Sequence, residues 1–179
     1  MRKVVSSLFI SLDGVTESPD KWQFAFDDEM GAEMNAVLEA QDAVLMGRVT
    51  YEEWAGYWPT STDEPFASYI NGAPKYVAST TLDRADWENT TILKGDLAEE
   101  IARLKSEPGG NIGVAGSPGL VRSLLEQDLL DELRLMVSPV VAGAGRRLFG
   151  TDSTLKRLEL EKSAQTGTGT MILVYRAAS

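Results

Sequence analysis

Cysteine and histidine are both absent from the 179 residues of this chain. Without cysteine, the chain has no disulfide bond, no thiolate nucleophile and no cysteine-ligated metal. Without histidine, it lacks the most common general base and transition-metal ligand, so a hydrolase with a serine–histidine–aspartate triad is excluded. We expect no metal site. These absences favour chemistry that is supplied by a bound organic cofactor, for which the protein mainly provides binding and orientation.

Positive charge is also scarce, because 17 Lys and Arg residues stand against 27 Asp and Glu residues and the net charge is -10. No dense basic stripe is present, so we expect no nucleic-acid partner. No apolar run approaches the length of a membrane span. The run at residues 4–12 is interrupted by serines and followed by Asp13-Gly14, which is typical of a first strand rather than of a signal peptide. We therefore expect a cytoplasmic protein that acts on a small molecule and has no membrane partner.

Length and composition predict one domain over residues 1–179, with 43% hydrophobic and 25% charged residues. Apolar runs at residues 4–12 and 43–46 are typical of buried strands. A helical pattern over residues 28–39 separates these two strands, and further helical patterns follow through the middle of the chain. This alternation predicts an α/β domain.

The last third of the chain has a different pattern. Residues 132–138 and 157–161 alternate apolar and polar side chains, as half-exposed strands do, and a final strand is expected over residues 171–176. These three strands predict an antiparallel addition to the same sheet.

Three helix starts are expected from capping patterns. Thr50 and Glu53 have capping-box spacing, which predicts a helix that begins at Thr50. Asp96 and Ser117 are expected as N-caps of two later helices. Pro118 suits the first turn of the helix after Ser117, because an N–H at that position would have no hydrogen-bond partner within the helix.

Three segments at strand ends are candidate phosphate sites. Residues 46–52 and 114–120 each combine a buried strand, a glycine turn and a helix N-terminus, and the first segment also carries Arg48. Backbone amides and the helix dipole favour an anion at such a turn. Residues 79–81 place three hydroxyl groups at the end of another strand, where ligands of α/β sheets collect. Ordinary caps and tight turns explain each segment alone, but together the three indicate a nucleotide.

The order of these motifs resembles the dihydrofolate reductase family. The motifs are Ser11-Leu12-Asp13-Gly14, then Met46-Gly47-Arg48 with Thr50-Tyr51-Glu52, then Ala115-Gly116-Ser117. The segments at residues 124–133 and 138–149 resemble more closely the reductase domain of riboflavin biosynthesis and its free-standing single-domain relatives. The resemblance covers nearly the whole chain. It implies the dihydrofolate reductase-like three-layer fold, with a mixed central sheet, antiparallel C-terminal strands and helices on both faces.

The resemblance also implies NADPH as the cofactor. The turn with Gly47, Arg48 and Thr50 would hold the pyrophosphate, the hydroxyls of residues 79–81 would approach the 2′-phosphate, and the end of the first strand would lie beside the nicotinamide. The cofactor-binding residues that it implies are Leu12, Gly14, Gly47, Arg48, Thr50, Ser79, Thr80, Thr81, Ala115, Gly116, Ser117, Pro118, Gly119 and Leu120.

Candidate catalytic and substrate residues lie outside the cofactor motifs. Hydride transfer to a C=N bond requires a proton, which without histidine comes from a carboxylic acid or water. We expect Asp13, or alternatively Asp27, to donate it with a raised pKa, although a turn and a helix cap explain the same residues. Arg146 is a candidate for a substrate phosphate or is simply a solvated loop residue. Trp22 is a candidate lid over the substrate.

Three functions agree with these motifs. The first is an NADPH-dependent oxidoreductase that transfers a hydride to a ribosylaminopyrimidine or pterin. The second is a reductase of an unrelated imine or carbonyl, and the third is a non-enzymatic NADPH-binding or regulatory protein. A homodimer is also expected, because residues 171–175 are apolar at both parities, which is more than one buried face needs.

Overall fold

Eight strands form one mixed sheet in the computed structural model, which describes residues 1–178. Along the sheet the strand order is β4-β3-β2-β5-β1-β6-β8-β7. Neighbours from β4 to β6 are parallel, whereas β8 and β7 join as antiparallel strands. The strands are β1 Val4–Ser11, β2 Gln41–Gly47, β3 Lys75–Ala78, β4 Thr90–Leu93, β5 Asn111–Val114, β6 Glu132–Ser138, β7 Leu158–Gln165 and β8 Met171–Ala177.

Helices cover both faces of the sheet. Val44 and Met46 of β2 pack with Tyr51 and Ile70 on one face, whereas Leu45 packs with residues of the fourth and fifth helices on the other. Strands that are covered on both faces have continuous apolar runs, which is why residues 43–46 show no alternation. The helices are α1 Asp28–Ala40, α2 Arg48–Ala55, α3 Phe66–Gly72, α4 Leu97–Ser106 and α5 Pro118–Glu126. Together, α1, α2 and α3 form one layer, and α4 and α5 form the other.

The start of α2 differs from its capping pattern, whereas α4 and α5 begin where the patterns predict. Asp96 caps α4 as predicted, because its carboxylate accepts from the amide of Glu99 at 3.1 Å. However, α2 begins at Arg48 with Gly47 as its N-cap, so Thr50 lies inside the first turn. Ser117 occupies the N-cap position of α5, but its side chain makes no cap hydrogen bond. The prediction for Thr50 was wrong, whereas Ser117 is the N-cap residue as predicted, although its hydroxyl bonds to Thr50 of the other helix.

The predicted alternation of β6 was also wrong. Met136 is buried under α1, against Met30 of that helix, whereas Leu135 and Val137 are only half-buried on the opposite face. β6 lies between β1 and β8 inside the sheet, and the apolar neighbours of Met136 on the α1 side account for its burial.

The end of α3 is joined to β3 by a fully buried lysine. The ammonium of Lys75 donates to the carbonyls of Ile70 and Ala73, each at 2.9 Å, and to that of Asn71 at 3.3 Å. It also lies 4.7 Å from the centre of a Trp87 ring. Burial lowers the pKa of Lys75, and the helix-terminal carbonyls satisfy all three of its donors. Within residues 1–178, no helix is long and apolar enough to cross a membrane.

Candidate active site

A cavity of about 830 Å³ lies between the sheet and the layer of α1, α2 and α3. It extends along β2 from Gln41 to Gly47 and includes residues of β1 and β5 on its floor. Its volume is in the range of small-molecule sites, about 300–1,000 Å³. One end of the cavity lies at the carboxyl ends of parallel strands, where open α/β sheets bind their ligands.

Two helix N-termini meet at this end of the cavity. Gly47 leads from β2 into α2, and the turn at residues 115–117 leads from β5 into α5. The first amides of α2, and those that follow Pro118 in α5, have no partner inside their own helix, so they are available to an anion. All residues from Gly47 to Thr50 and from Ala115 to Leu120 line the cavity. The two predicted phosphate segments therefore belong to one site.

Hydroxyl groups join the two turns. Ser117 donates its hydroxyl to Thr50 Oγ1 at 2.8 Å and accepts from the amide of Gly47 at 2.9 Å. The amide of Ser117 also donates to Thr50 Oγ1, at 3.2 Å. Both side chains are buried, so they fix the positions of the two helix starts. The amides of Gly47 and Ser117 are used within this set, whereas those of residues 48–49 and 119–120 have no partner within their own helix.

The turn into α5 uses an uncommon backbone conformation. Gly116 and Ser117 have φ values of 49° and 51°, both in the left-handed region. A Cβ at Gly116 would also lie 3.4 Å from the side chain of Thr50. Glycine suits this position, whereas a serine with positive φ is uncommon and strained. The three hydrogen bonds of Ser117 stabilise this conformation.

Arg48 lies at the same end of the cavity and pairs with Glu52 at 2.7 Å on the surface of α2. The hydroxyl residues 79–81 do not line the cavity. They follow Ala78, which is the register partner of Gly47 on the neighbouring strand. Within this group, the Ser79 hydroxyl accepts from the amides of Thr81 and Leu82, so it closes a local turn.

Asp13 does not have the raised pKa that we expected. Its carboxylate accepts from the hydroxyl of Ser11 at 2.6 Å and from the amides of Ala142 and Gly143, each at 2.9 Å. These bonds, first that from Ser11, lower the pKa of Asp13 well below its ordinary value. Asp13 anchors the loop after β6, and neither it nor its neighbours Leu12 and Gly14 line the cavity.

Asp27 also has a lowered pKa rather than a raised one. It is the N-cap of α1, and its carboxylate accepts from the Thr168 hydroxyl at 2.6 Å and from the amide of Met30 at 2.9 Å. The bond from Thr168 is the largest cause of the lowered pKa. Donors from neighbouring residues and from distant loops together overturn the expectation for both acids, since a carboxylate that accepts several hydrogen bonds stays ionised.

Trp22 and Arg146 lie in different surroundings. Trp22 is buried and its indole N–H donates to the carbonyl of Glu17 at 2.9 Å, so it lies beneath the loop at residues 16–19 rather than over the cavity. Arg146 lines the cavity, and its guanidinium pairs with Glu17 at 3.1 Å. Its amide also donates to Glu17 and lowers the pKa of that carboxyl.

The inner part of the cavity was missed by the sequence motifs. Its walls include apolar residues of α1, a group of aromatic side chains from α2 and α3, and Gln41 beside Gly113. The helical pattern over residues 28–39 could have indicated one wall. Gln41 and Gly113 meet only through the pairing of β2 with β5, which no local pattern shows.

A family model described as the RibD C-terminal domain matches residues 2–172, and the chain belongs to this family. It is 30% identical to YwjB of Bacillus subtilis, an uncharacterised protein, over 98% of this chain and 99% of YwjB. A solved structure from Shewanella sp. PV-4, named for riboflavin biosynthesis, matches with a TM-score of 0.80 at 22% identity over 100% of both chains.

A second solved structure is the Thermotoga maritima diaminohydroxyphosphoribosylaminopyrimidine deaminase/5-amino-6-(5-phosphoribosylamino)uracil reductase. It matches with a TM-score of 0.70 at 14% identity, over 99% of this chain and 57% of that one. These comparisons confirm both the predicted dihydrofolate reductase-like fold and the family resemblance.

Proposed function

We propose that this protein is an NADPH-dependent reductase that transfers a hydride to a small heterocyclic substrate, of ribosylaminopyrimidine or pterin type. The main support is the meeting of two helix N-termini, fixed by Ser117 and Thr50, at one end of a largely apolar cavity. Membership of the RibD C-terminal domain family and the reductase activity in the name of the Thermotoga maritima protein favour the same chemistry.

The residues at this end of the cavity fit the cofactor. The amides that begin α2 and those that follow Pro118 in α5 suit a diphosphate, and Gly116 allows the left-handed turn between β5 and α5. Arg48 adds a positive charge, and the hydroxyls at residues 79–81 follow the neighbouring strand, where they suit the 2′-phosphate. When bound, NADPH supplies the hydride.

The protein itself provides orientation, exclusion of water and a path for the proton. Among the cavity-lining residues within positions 1–178, the carboxylic acids are Glu17 and Glu53. Glu17 accepts from the Arg146 amide, which lowers its pKa, so it is a poor proton donor near neutral pH. Glu53 is exposed to solvent, so we assign proton delivery to water that enters the cavity beside it.

Cofactor titration tests the proposal. NADPH should bind about tenfold to a hundredfold more tightly than NADH, since one charge-assisted hydrogen bond contributes about 1.5–3 kcal/mol. Arg48→Ala should weaken NADPH binding without unfolding the protein. Arg103→Ala is the matched control, because Arg103 pairs with Glu100 and Glu107 on α4, in the opposite layer. Equal fluorescence-derived dissociation constants for NADPH and NADH would contradict the proposed cofactor.

A further inference from the structure

We infer that α1 is a hinged lid of the cavity. The hinge lies at the C-terminal end of the helix, where Ala40 is followed directly by β2. Carboxylates in the N-terminal half hold the lid shut against β6 and the hairpin of β7 and β8. When these contacts break, α1 rotates away from the sheet and opens the cavity from the side of the helix.

The apolar packing of α1 is small for a helix of 13 residues. Its one buried side chain is Met30, which packs against Met136 and Ile172 of the sheet. Val37 and Leu38 line the cavity and belong to none of the apolar clusters within residues 1–178. Because helices in proteins are stabilised mainly by packing of an apolar face, other contacts must keep α1 on the sheet.

Polar contacts of the N-terminal half supply this attachment, and we call them the latch. Asp27 accepts from the Thr168 hydroxyl at 2.6 Å, Glu29 accepts from the Gly167 amide at 2.6 Å, and Glu33 pairs with Arg134 and Lys162, each at 2.7 Å. The contacts of Asp27 and Glu29 are exposed to solvent. Water replaces such contacts at little net cost when they break, so the latch is weak compared with a buried apolar interface.

The C-terminal end of α1 has the geometry of a hinge. No loop separates Ala40 from Gln41, the first residue of β2. The pairing of β2 with β5 begins with a register shift, and such an irregularity interrupts the ladder and bends the strand. The next residue, Asp42, is fixed by an ion pair with Arg2 and by the amide of Gly110 at 2.8 Å. Rotation is therefore confined to the junction of helix and strand.

The chain before α1 leaves its N-terminal end free to rotate. Residues 24–26, between the buried Trp22 and the helix, are exposed. Phe26 is 57% exposed and contacts Phe9 only edge-on, with ring centres 6.3 Å apart. This short segment carries little packing that would resist movement of the helix.

Movement of α1 would expose the floor of the cavity. Phe9 and Met136 line the cavity, and both pack in the cluster that contains Met30. Removal of Met30 from this cluster makes the floor accessible from the side of α1. The lid would thus control how a ligand reaches the inner part of the cavity.

Methionine oxidation by hydrogen peroxide measures the opening, because the chain has no cysteine to compete for the oxidant. Met30 and Met46 are both fully buried, but Met46 packs with Tyr51 and Ile70 of α2 and α3. Oxidation of Met46 therefore reports opening of the whole domain, whereas oxidation of Met30 also reports opening of the lid. We expect Met30 to be oxidised faster than Met46 in the unaltered protein, with tandem mass spectrometry assigning each sulfoxide.

Variants of the latch should raise the population of the open lid. Glu29→Ala and Thr168→Val should each speed oxidation of Met30 about threefold to tenfold and leave that of Met46 unchanged. Asp28→Ala is the matched control, because Asp28 is exposed and lies between two carboxylates of the latch. It should leave both rates unchanged.

Unchanged oxidation of Met30 in both latch variants would overturn the inference. Equal increases at Met30 and Met46 would also overturn it, since the whole domain would then open together. The measurements use the protein without a cofactor, so a failure of NADPH to bind would contradict the reductase proposal and leave the lid unaffected.

Discussion

At the scale of single residues, Thr50 and Ser117 join the two turns that form one end of the candidate site. Each lies in the first turn or cap of a different helix, and 67 positions separate them in the chain. Their hydroxyls and the amide of Gly47 form one buried set of hydrogen bonds. Because the set joins two strand ends, loss of either hydroxyl affects both halves of the candidate site.

A double-mutant cycle should detect this coupling. Ser117→Ala and Thr50→Val should each lower the free energy of unfolding by about 1–3 kcal/mol, since each leaves buried groups without partners. The double variant should lose less than the sum, with a coupling of about 1 kcal/mol. Ser163→Ala, on the exposed strand β7, should combine additively with Thr50→Val. Denaturant unfolding measures the free energy of unfolding of each single and double variant. If the effects of Ser117→Ala and Thr50→Val simply add, the proposed connection between the two residues is contradicted.

Residues whose position depends on local motifs could be placed from the sequence. Gly47, Arg48 and Gly116 line the cavity, and they were found because a strand, a glycine turn and a helix follow one another in the chain. Asp13 was misjudged, since its pKa is lowered first by the hydroxyl of Ser11 and then by amides 129 and 130 positions away, which no local pattern shows. Gln41 and Gly113 gave no signal, because sheet pairing alone brings them together.

At the scale of secondary-structure elements, α1 is held by polar contacts at its N-terminal end and along one side, rather than by a broad apolar face. Only Met30 of this helix is buried. Asp27 accepts from Thr168, and Glu29 accepts from the amide of Gly167 at 2.6 Å, both in the turn between β7 and β8. Glu33 pairs with Arg134 and Lys162, each at 2.7 Å. These polar contacts hold α1 in place while its other side lines the cavity.

The contact of Asp27 predicts a specific pH dependence. A carboxyl whose pKa is lower in the folded state stabilises that state above its ordinary pKa of 3.8 and loses this effect as the pH falls toward the folded value. Asp27→Asn should therefore be less stable than the unaltered protein at pH 7, and the difference should shrink below about pH 4.

The neighbouring Asp28→Asn is the matched control, because Asp28 is exposed. It should change stability little at either pH. Urea unfolding at several pH values provides the comparison, and a constant difference between Asp27→Asn and the unaltered protein across this range would contradict the assigned contact.

Element types could be predicted better than their first residues. The strands and helices follow the apolar patterns, because burial on one or both faces produces those patterns directly. The start of α2 was misplaced by two residues, since Thr50 bonds to Ser117 of another helix and not to its own first turn.

At the scale of the whole molecule, the helical layers leave part of the sheet uncovered. On the α4 and α5 side, Leu135 pairs with Leu173 across β6 and β8, and Val137 pairs with Met171. All four side chains are only half-buried, which agrees with the apolar residues at both parities of β8. A contiguous apolar face of this kind is typical of an interface between subunits.

We propose that this face joins two copies of the chain, and Leu173→Glu tests the proposal. The unaltered protein should have twice the 19.5 kDa chain mass in light scattering, and higher salt should strengthen the dimer, because screening reduces the repulsion between two chains of charge -10. Leu173→Glu places a charge in the apolar face and should give a monomer that retains its fold by circular dichroism. Ala102→Glu adds the same charge on the exposed side of α4 and should remain a dimer.

A monomer mass for the unaltered protein at micromolar concentration would contradict the dimer. A dimer that persists in Leu173→Glu would instead place the interface on another face, because a buried carboxylate without a partner strongly disfavours association.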